Sequence, residues 1–316
     1  MASVLWTTEQ LVHHLFPSTF LIDPFLPRSG IALAYAKRGV GKTHFALTLA
    51  ACLTEGGILF GRYATHQGPV VLVQADMGAP IQQRRVRQTR RTYPLTHLYF
   101  AFPDFLSLPD LTASDSLIQL IRSVDPVCVI WDTLRQIHRM DMNSDETPAW
   151  IYGTARHLLP HAAHLFIHHD KKTIAEQEDL DQDESFRGSG AWLDHADVGI
   201  KLRGVGTGRL ALDFTKVRTC EPLPSLALSL STETMLLYAL GEDVRPLIVG
   251  WRARHPRGTP EDLTVYLLNS FVAPPRTIAA LVQQAYAEGR VDGPGRLEGR
   301  REPPGRYATP QQEAAG

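Results

Sequence analysis

Cysteine is scarce in this 316-residue chain: Cys52, Cys128 and Cys220 stand far apart among apolar neighbours. They make neither a metal-ligand spacing nor a disulfide framework, a usage that suits a reducing cytoplasm. No apolar run approaches the roughly 20 residues that cross a bilayer. The opening MASVLWTTEQ lacks the basic and then apolar segments of an export signal. A cytoplasmic location away from membranes is therefore expected. Charge of either sign is also lacking in excess: the net of −1 neither favours nor excludes nucleic acid, because local patches decide that. No internal repeat is visible. With 44% hydrophobic and 21% charged residues, the length allows one large α/β domain plus a small appendage.

The most informative stretch is AYAKRGVGKTHFALTLAA, residues 34–51. Residues 36–43, Ala36-Lys37-Arg38-Gly39-Val40-Gly41-Lys42-Thr43, follow the phosphate-loop pattern G-x-x-x-x-G-K-[ST], except that Ala36 stands in the first position. Gly39 and Gly41 let backbone N–H groups curl around a phosphate. The helix from Thr43 to about Leu53, with His44 in its first turn, adds the positive end of its dipole. Lys42 is placed to reach the β and γ phosphates and the Thr43 hydroxyl to join a Mg²⁺ shell. ATP and Mg²⁺ are the cofactors this pattern calls for.

From Gly30 to about Leu240 strands and helices alternate, the signature of an α/β fold with a mostly parallel sheet flanked by helices. Strands are expected at Gly30–Tyr35, Val70–Gln74, Leu98–Phe102, Val127–Trp131 and Leu165–Ile167. Helices are expected at Ile81–Arg91, Ser114–Ser123 and Pro148–Leu159, the last capped by Thr147. Three of these strands run into Asp76, Asp132 and His168-His169, and the first into the phosphate loop. Open parallel sheets place ligand chemistry at such ends. Asp132 fits a carboxylate that holds Mg²⁺. Asp76 fits a base polarising the attacking water, or else a helix N-cap. His168 and His169 fit a γ-phosphate sensor, or polar strand-end residues. Further strands at Leu210–Phe214, Leu226–Leu230 and Met235–Tyr238 widen the sheet, and TKVR puts Lys216 and Arg218 two residues apart on one strand face.

Around this core, residues 1–29 read as a short helix, Glu9–Phe16, and an extended arm with three prolines. Whether it folds back on its own domain or latches onto a neighbour stays open. Residues 170–190 are polar and acidic, the composition of a mobile loop. Residues 241–309 change character: helices at Asp243–Arg254, Pro260–Phe271 and Pro275–Gly289, then a Gly/Pro-rich basic hairpin. That order is the order of a winged helix-turn-helix. From Arg245 to Arg306 there are ten arginines, no lysine and six acids. Arg276 opens the expected recognition helix, and Arg300, Arg301 and Arg306 lie on the expected wing, so duplex DNA is an expected partner. Residues 310–316 read as a disordered tail.

These motifs, in this order, resemble the RecA-like ATPases of the DnaB/RepA type, the hexameric replicative helicases of plasmids and phages. The resemblance spans about residues 15–230. It rests on LPRSGIALAYAKRGVGKTHFALTLA, VVLVQADM, VIWDTLRQIH, LFIHHDKK, FRGSGAWLDHADVGIKL and LDFTKVR. It implies that Lys42 and Thr43 bind triphosphate and Mg²⁺, that Asp132 is the metal-holding acid, and that His169, beside His168, senses the γ-phosphate. Asp76 stands where the family has a catalytic Glu, one methylene longer. Arg85 stands where the family has an Arg on the helix after that carboxylate. Arg187, Lys216 and Arg218 become candidate cations acting on a neighbouring subunit's nucleotide, Arg218 foremost. Lys171, Lys172 and Arg187 fall where the family contacts single-stranded DNA in a central channel of a homo-hexamer. The implied function is an ATP-dependent helicase or translocase. The alternative is a DNA-binding ATPase switch, a loader or regulator that does not unwind.

Overall fold

All six residues of the stretch Ile31–Ala36 are buried, the pattern of a strand covered on both faces. It is the third strand of the computed structural model, which describes residues 5–14, 20–104, 106–169, 189–241 and 244–287. Ahead of it lie helix α1 (Thr8–His13) and a hairpin of β1 (Phe20–Ile22) and β2 (Leu26–Pro27). From β3 (Ile31–Ala36) the chain passes through α2 (Lys42–Glu55), a small hairpin of β4 (Ile58–Leu59) and β5 (Tyr63–Ala64), and β6 (Val70–Gln74). Then follow α3 (Ala79–Thr89), β7 (Leu98–Ala101), α4 (Ser116–Val124), β8 (Cys128–Asp132), α5 (Glu146–Leu158) and β9 (Ala163–His169). The later elements are α6 (Ala191–Asp194), β10 (Val198–Gly206), β11 (Arg209–Val217), β12 (Leu226–Leu230) and β13 (Leu237–Ala239). Helices α7 (Arg245–Arg254), α8 (Pro260–Leu268) and α9 (Pro275–Ala287) close the described chain.

Nine strands form one sheet in the order β13-β12-β11-β10-β3-β9-β8-β6-β7. The six from β10 to β7 are parallel, and β11 to β13 continue the sheet in antiparallel fashion. One face packs on α2, which is buried on nearly every side. The other packs on α4 and α5 through Ile118, Ile121, Ile151 and Tyr152. Strand alternation sorts the side chains: Ala32, Ala34 and Ala36 face α2, while Ile31, Leu33 and Tyr35 face the opposite cluster. Cys52 and Cys128 are fully buried, and burial pushes both thiols up, so they pack as small apolar residues.

Several elements depart from the sequence reading. Phe20–Pro27, expected as part of an arm, enters the main core: Leu21, Ile22, Phe25 and Leu26 are buried, and Phe25 packs on Tyr63 and Phe214. Four large apolar side chains in eight residues outweigh the prolines. Helix α1 begins one residue earlier than expected, with Thr7 and Gln10 forming a capping box, and buries none of its residues. Helix α5 starts at Glu146, because the Thr147 hydroxyl turns back to the Asp141 carbonyl (2.7 Å) instead of capping. Strand β10 went unread: glycines at 199, 204 and 206 mask a run whose Val198, Ile200 and Leu202 are buried.

The three C-terminal helices enclose their own small core around Trp251, Leu263, Leu267 and Ile278. Helix α8 ends at Leu268, short of Phe271, because Phe271 leaves the helix with φ 52° and inserts into the main core. There it stacks on Tyr93 (5.0 Å, 12°), whose hydroxyl donates to the Leu268 carbonyl (2.9 Å). The expected wing, the end of the third expected helix and the tail lie outside the described residues.

Candidate nucleotide site

Sheet register brings one end of four strands together. Ala36 of β3 pairs with His169 of β9, Ile167 with Asp132 of β8, and Asp132 with Gln74 of β6. All four strands point the same way, so the phosphate loop, Asp76, Asp132 and His169 share one edge.

Within the loop, Gly39 and Gly41 hold φ of 81° and 114°, a region that L side chains avoid. Ala36 explains its own tolerance: it is a strand residue without positive φ, so glycine is not required there. Gly41 is the N-cap of α2 and offers no side-chain cap, which leaves the first N–H groups of the helix for a ligand. Lys42 is buried and its Nζ donates to the Ala36 and Lys37 carbonyls (2.8 and 3.0 Å). Lys37, Arg38 and Gly39 are exposed at the tip.

Asp132 is only 1% exposed. Burial pushes its carboxyl above the usual range, opposed by hydrogen bonds from Gln74 and Thr43 and by the nearby Lys42, while Asp76 adds to the rise. Thr43 and Asp132 thus meet directly, as a hydroxyl and a carboxylate that share one Mg²⁺ would. Among the described residues there is no cluster of three or more acidic, His or Cys ligands. A hard cation bound through one carboxylate, one hydroxyl, phosphates and water fits this donor set. The uncapped helix start, the glycine turn and the buried ammonium fit a triphosphate, so the residues present suit Mg·ATP.

The neighbouring groups divide. Asp76 is exposed in the bend after β6; the N-cap of α3 is Gly78, so Asp76 is no helix cap. Arg85, on α3, lies beside Asp132 and His44: burial lowers its pKa and Asp132 raises it, and its Nη1 contacts Met77 Sδ (3.1 Å). His44 is held neutral-leaning chiefly by burial, with its Nδ1 on the Met235 carbonyl (2.9 Å). His169 follows the α2-facing set of β9. His168, expected beside it at the phosphate, points to the opposite face: it is 1% exposed and stacks on Trp192 (6.4 Å, 24°). Alternation along a strand cannot give two adjacent residues to one face.

Lys216 and Arg218 lie at the other end of the sheet. Val198 pairs with both Ala32 and Val217, so these cations sit near the start of β3, about 13 Å along the strand from Ala36. Lys216 Nζ donates to the carbonyls of Leu193 and Asp194 (2.8 and 2.7 Å), and Arg218 contacts the Asp194 carbonyl and Asp197 (3.7 Å). Arg276, at the start of α9, is exposed and lies 3.8 Å from Glu233. Lys171, Lys172, Arg187, Arg300, Arg301 and Arg306 lie outside the described residues. Gln74 was missed by the sequence reading; its signal was a lone amide closing an otherwise apolar strand, VVLVQ.

A family model described as an AAA domain matches residues 4–175. Among solved structures, one ATPase domain matches with a TM-score of 0.52 and 16% identity over 67% of this chain and 85% of that one. A DnaB-like replicative helicase, solved together with its interactions with primase, matches with a TM-score of 0.53 and 16% identity over 67% of this chain and 58% of that one. At that identity the likeness speaks for the fold, which is the RecA-like P-loop arrangement. No curated protein matches the sequence. Among the described residues no helix is long and apolar enough to cross a membrane.

Proposed function

The chain belongs to the AAA domain family, and from that footing we propose a DNA motor: a helicase or translocase of the DnaB/RepA type. It is an ATP-hydrolysing P-loop enzyme. In the proposal, copies form a ring, a hexamer, around single-stranded DNA and serve plasmid, phage or mobile-element replication. Lys42 and the N–H groups at the start of α2 bind the triphosphate. Thr43 and Asp132 hold Mg²⁺, which supplies positive charge to the phosphoryl oxygens when bound. Asp76 orients the attacking water, Arg85 lies over the site, and His169 senses the γ-phosphate. Lys171, Lys172 and Arg187 contact the strand, whose binding is electrostatic and weakens with salt.

The observation that carries the ring is the placement of Lys216 and Arg218. Both sit at the sheet end opposite their own phosphate loop, so a nucleotide they serve belongs to another copy. Arg218→Ala is expected to stop turnover while leaving nucleotide binding intact. Mixing it with Lys42→Ala subunits then restores activity, since each partner supplies what the other lacks. Persistent inactivity of the mixture would count against a shared site.

A second reading has its own support. Asp76 is exposed and is a methylene shorter than the family's Glu, which favours a slowly hydrolysing switch, a loader or regulator. In it the helices α7 to α9, with the chain beyond as a wing, sit on duplex DNA through Arg276, Arg300, Arg301 and Arg306. Unwinding of a forked substrate belongs to the first reading alone.

A further inference from the structure

Glutamine is a costly residue to close a fully buried strand, because an amide out of water needs partners. Gln74 is 2% exposed, and its neighbours on β6 are all apolar and buried. Its side chain is committed to one group. Nε2 donates to Asp132 Oδ2 at 3.2 Å and to the Asp132 backbone carbonyl at 3.3 Å. The same carbonyl accepts the Ala75 N–H at 2.7 Å. The direction of the amide is set by chemistry: a carboxylate and a carbonyl only accept, so the NH₂ end faces Asp132. The other end, Oε1, is buried and has no hydrogen-bond partner among the described residues. Nothing else therefore dictates how the amide lies.

We propose that Gln74 is a positioning residue for the divalent cation: it grips Oδ2 and the main-chain carbonyl of Asp132 and so holds the carboxylate in one orientation beside Thr43. The inference rests on the Mg·ATP reading of the site. Asp132 needs such a grip because, among the described residues, it is the acid at the strand ends that is buried; Asp76 is exposed. Sheet pairing of Gln74 with Asp132 keeps the two side chains in register. The Thr43 hydroxyl is a second hydrogen-bond partner of the same carboxylate. Hydrogen-bonded partners that orient a metal-holding group commonly change metal affinity by about 10–100-fold when removed.

The test uses full-length protein with a non-hydrolysable ATP analogue and Mn²⁺, whose affinity is read by electron paramagnetic resonance. Gln74→Leu and Gln74→Met are close to isosteric and lack the amide, so each keeps the core filled. The expected result is an affinity for Mn²⁺ about 10-fold or more weaker in both variants. Affinity for the analogue without divalent cation, and the thermal midpoint, should stay near wild type. A tight Mn²⁺ site in wild type with the same affinity in both variants would overturn the positioning role alone. Absence of a tight site in wild type would overturn the metal reading and this inference with it. Equal loss of cation-free nucleotide binding and Mn²⁺ binding would make Gln74 merely structural.

Discussion

Asp76 and Asp132 close neighbouring strands yet live in different surroundings. One is exposed in a bend; the other is buried beneath Gln74 and Thr43. That contrast favours the proposed roles: a buried, doubly hydrogen-bonded carboxylate suits holding a cation, and an exposed one suits reaching a water. Asp76→Ala is expected to lower turnover by about 10²–10⁴-fold, the range of a general base, with nucleotide affinity unchanged. Steady-state rates beside equilibrium binding check this, and retained turnover would remove Asp76 from the chemistry. At this scale the position of the phosphate loop, Asp132 and Asp76 at one sheet edge was legible, because apolar strands ending in polar groups announce themselves. His168 and His169 could not be told apart there, because two adjacent polar residues look alike in a sequence, whereas the sheet separates them by face. Gln74 was overlooked because an amide inside a strand carries no motif.

Between elements, the segment 231–238 links the nucleotide site to the C-terminal helices. His44 and Thr48 of α2 bond the Met235 carbonyl and the Leu237 N–H (2.9 and 2.8 Å), and Thr89 of α3 donates to the Thr234 carbonyl (2.7 Å). Thr234 meets the Tyr238 hydroxyl (3.0 Å), and Tyr93 reaches Leu268. Phe271, 0% exposed, pins the helical unit onto this network. Phe271→Ala should therefore cost about 3–5 kcal/mol of the stability of the whole protein, as a large aromatic lost from a core does. Urea unfolding measures it; a loss confined to the three helices, with the ATPase body unchanged, would contradict the shared core. Amphipathic periodicity revealed those three helices, but not that one residue after the second belongs to another core. Length and spacing report local structure, while Phe271 is placed by long-range packing. Strand β10 was hidden for a related reason, since its glycines weaken a pattern that pairing with β3 and β11 restores.

For the molecule as a whole, burial holds His138 and His164 down to about 4, against an ordinary histidine value near 6.5. The unfolded chain then binds more protons than the folded one between those values. Stability is full above about pH 6.5 and falls as pH drops toward 4. Glu55, raised by burial, works in the opposite direction. Thermal midpoints should decline from pH 7 to pH 4.5, with a shallower decline in His138→Gln; a flat profile would contradict the burial of these rings. The α/β class and the parallel sheet were readable from the alternation of strands and helices. The nine-strand order was not, because register is decided by which faces the helices cover. The proposed motor spends ATP on a single strand, so the ATP hydrolysis rate with and without single-stranded DNA is the measurement to make. Protein of known solution mass is needed. A hexamer-sized species whose turnover the strand strongly stimulates is expected; a monomer or dimer with a rate indifferent to the strand would contradict the motor.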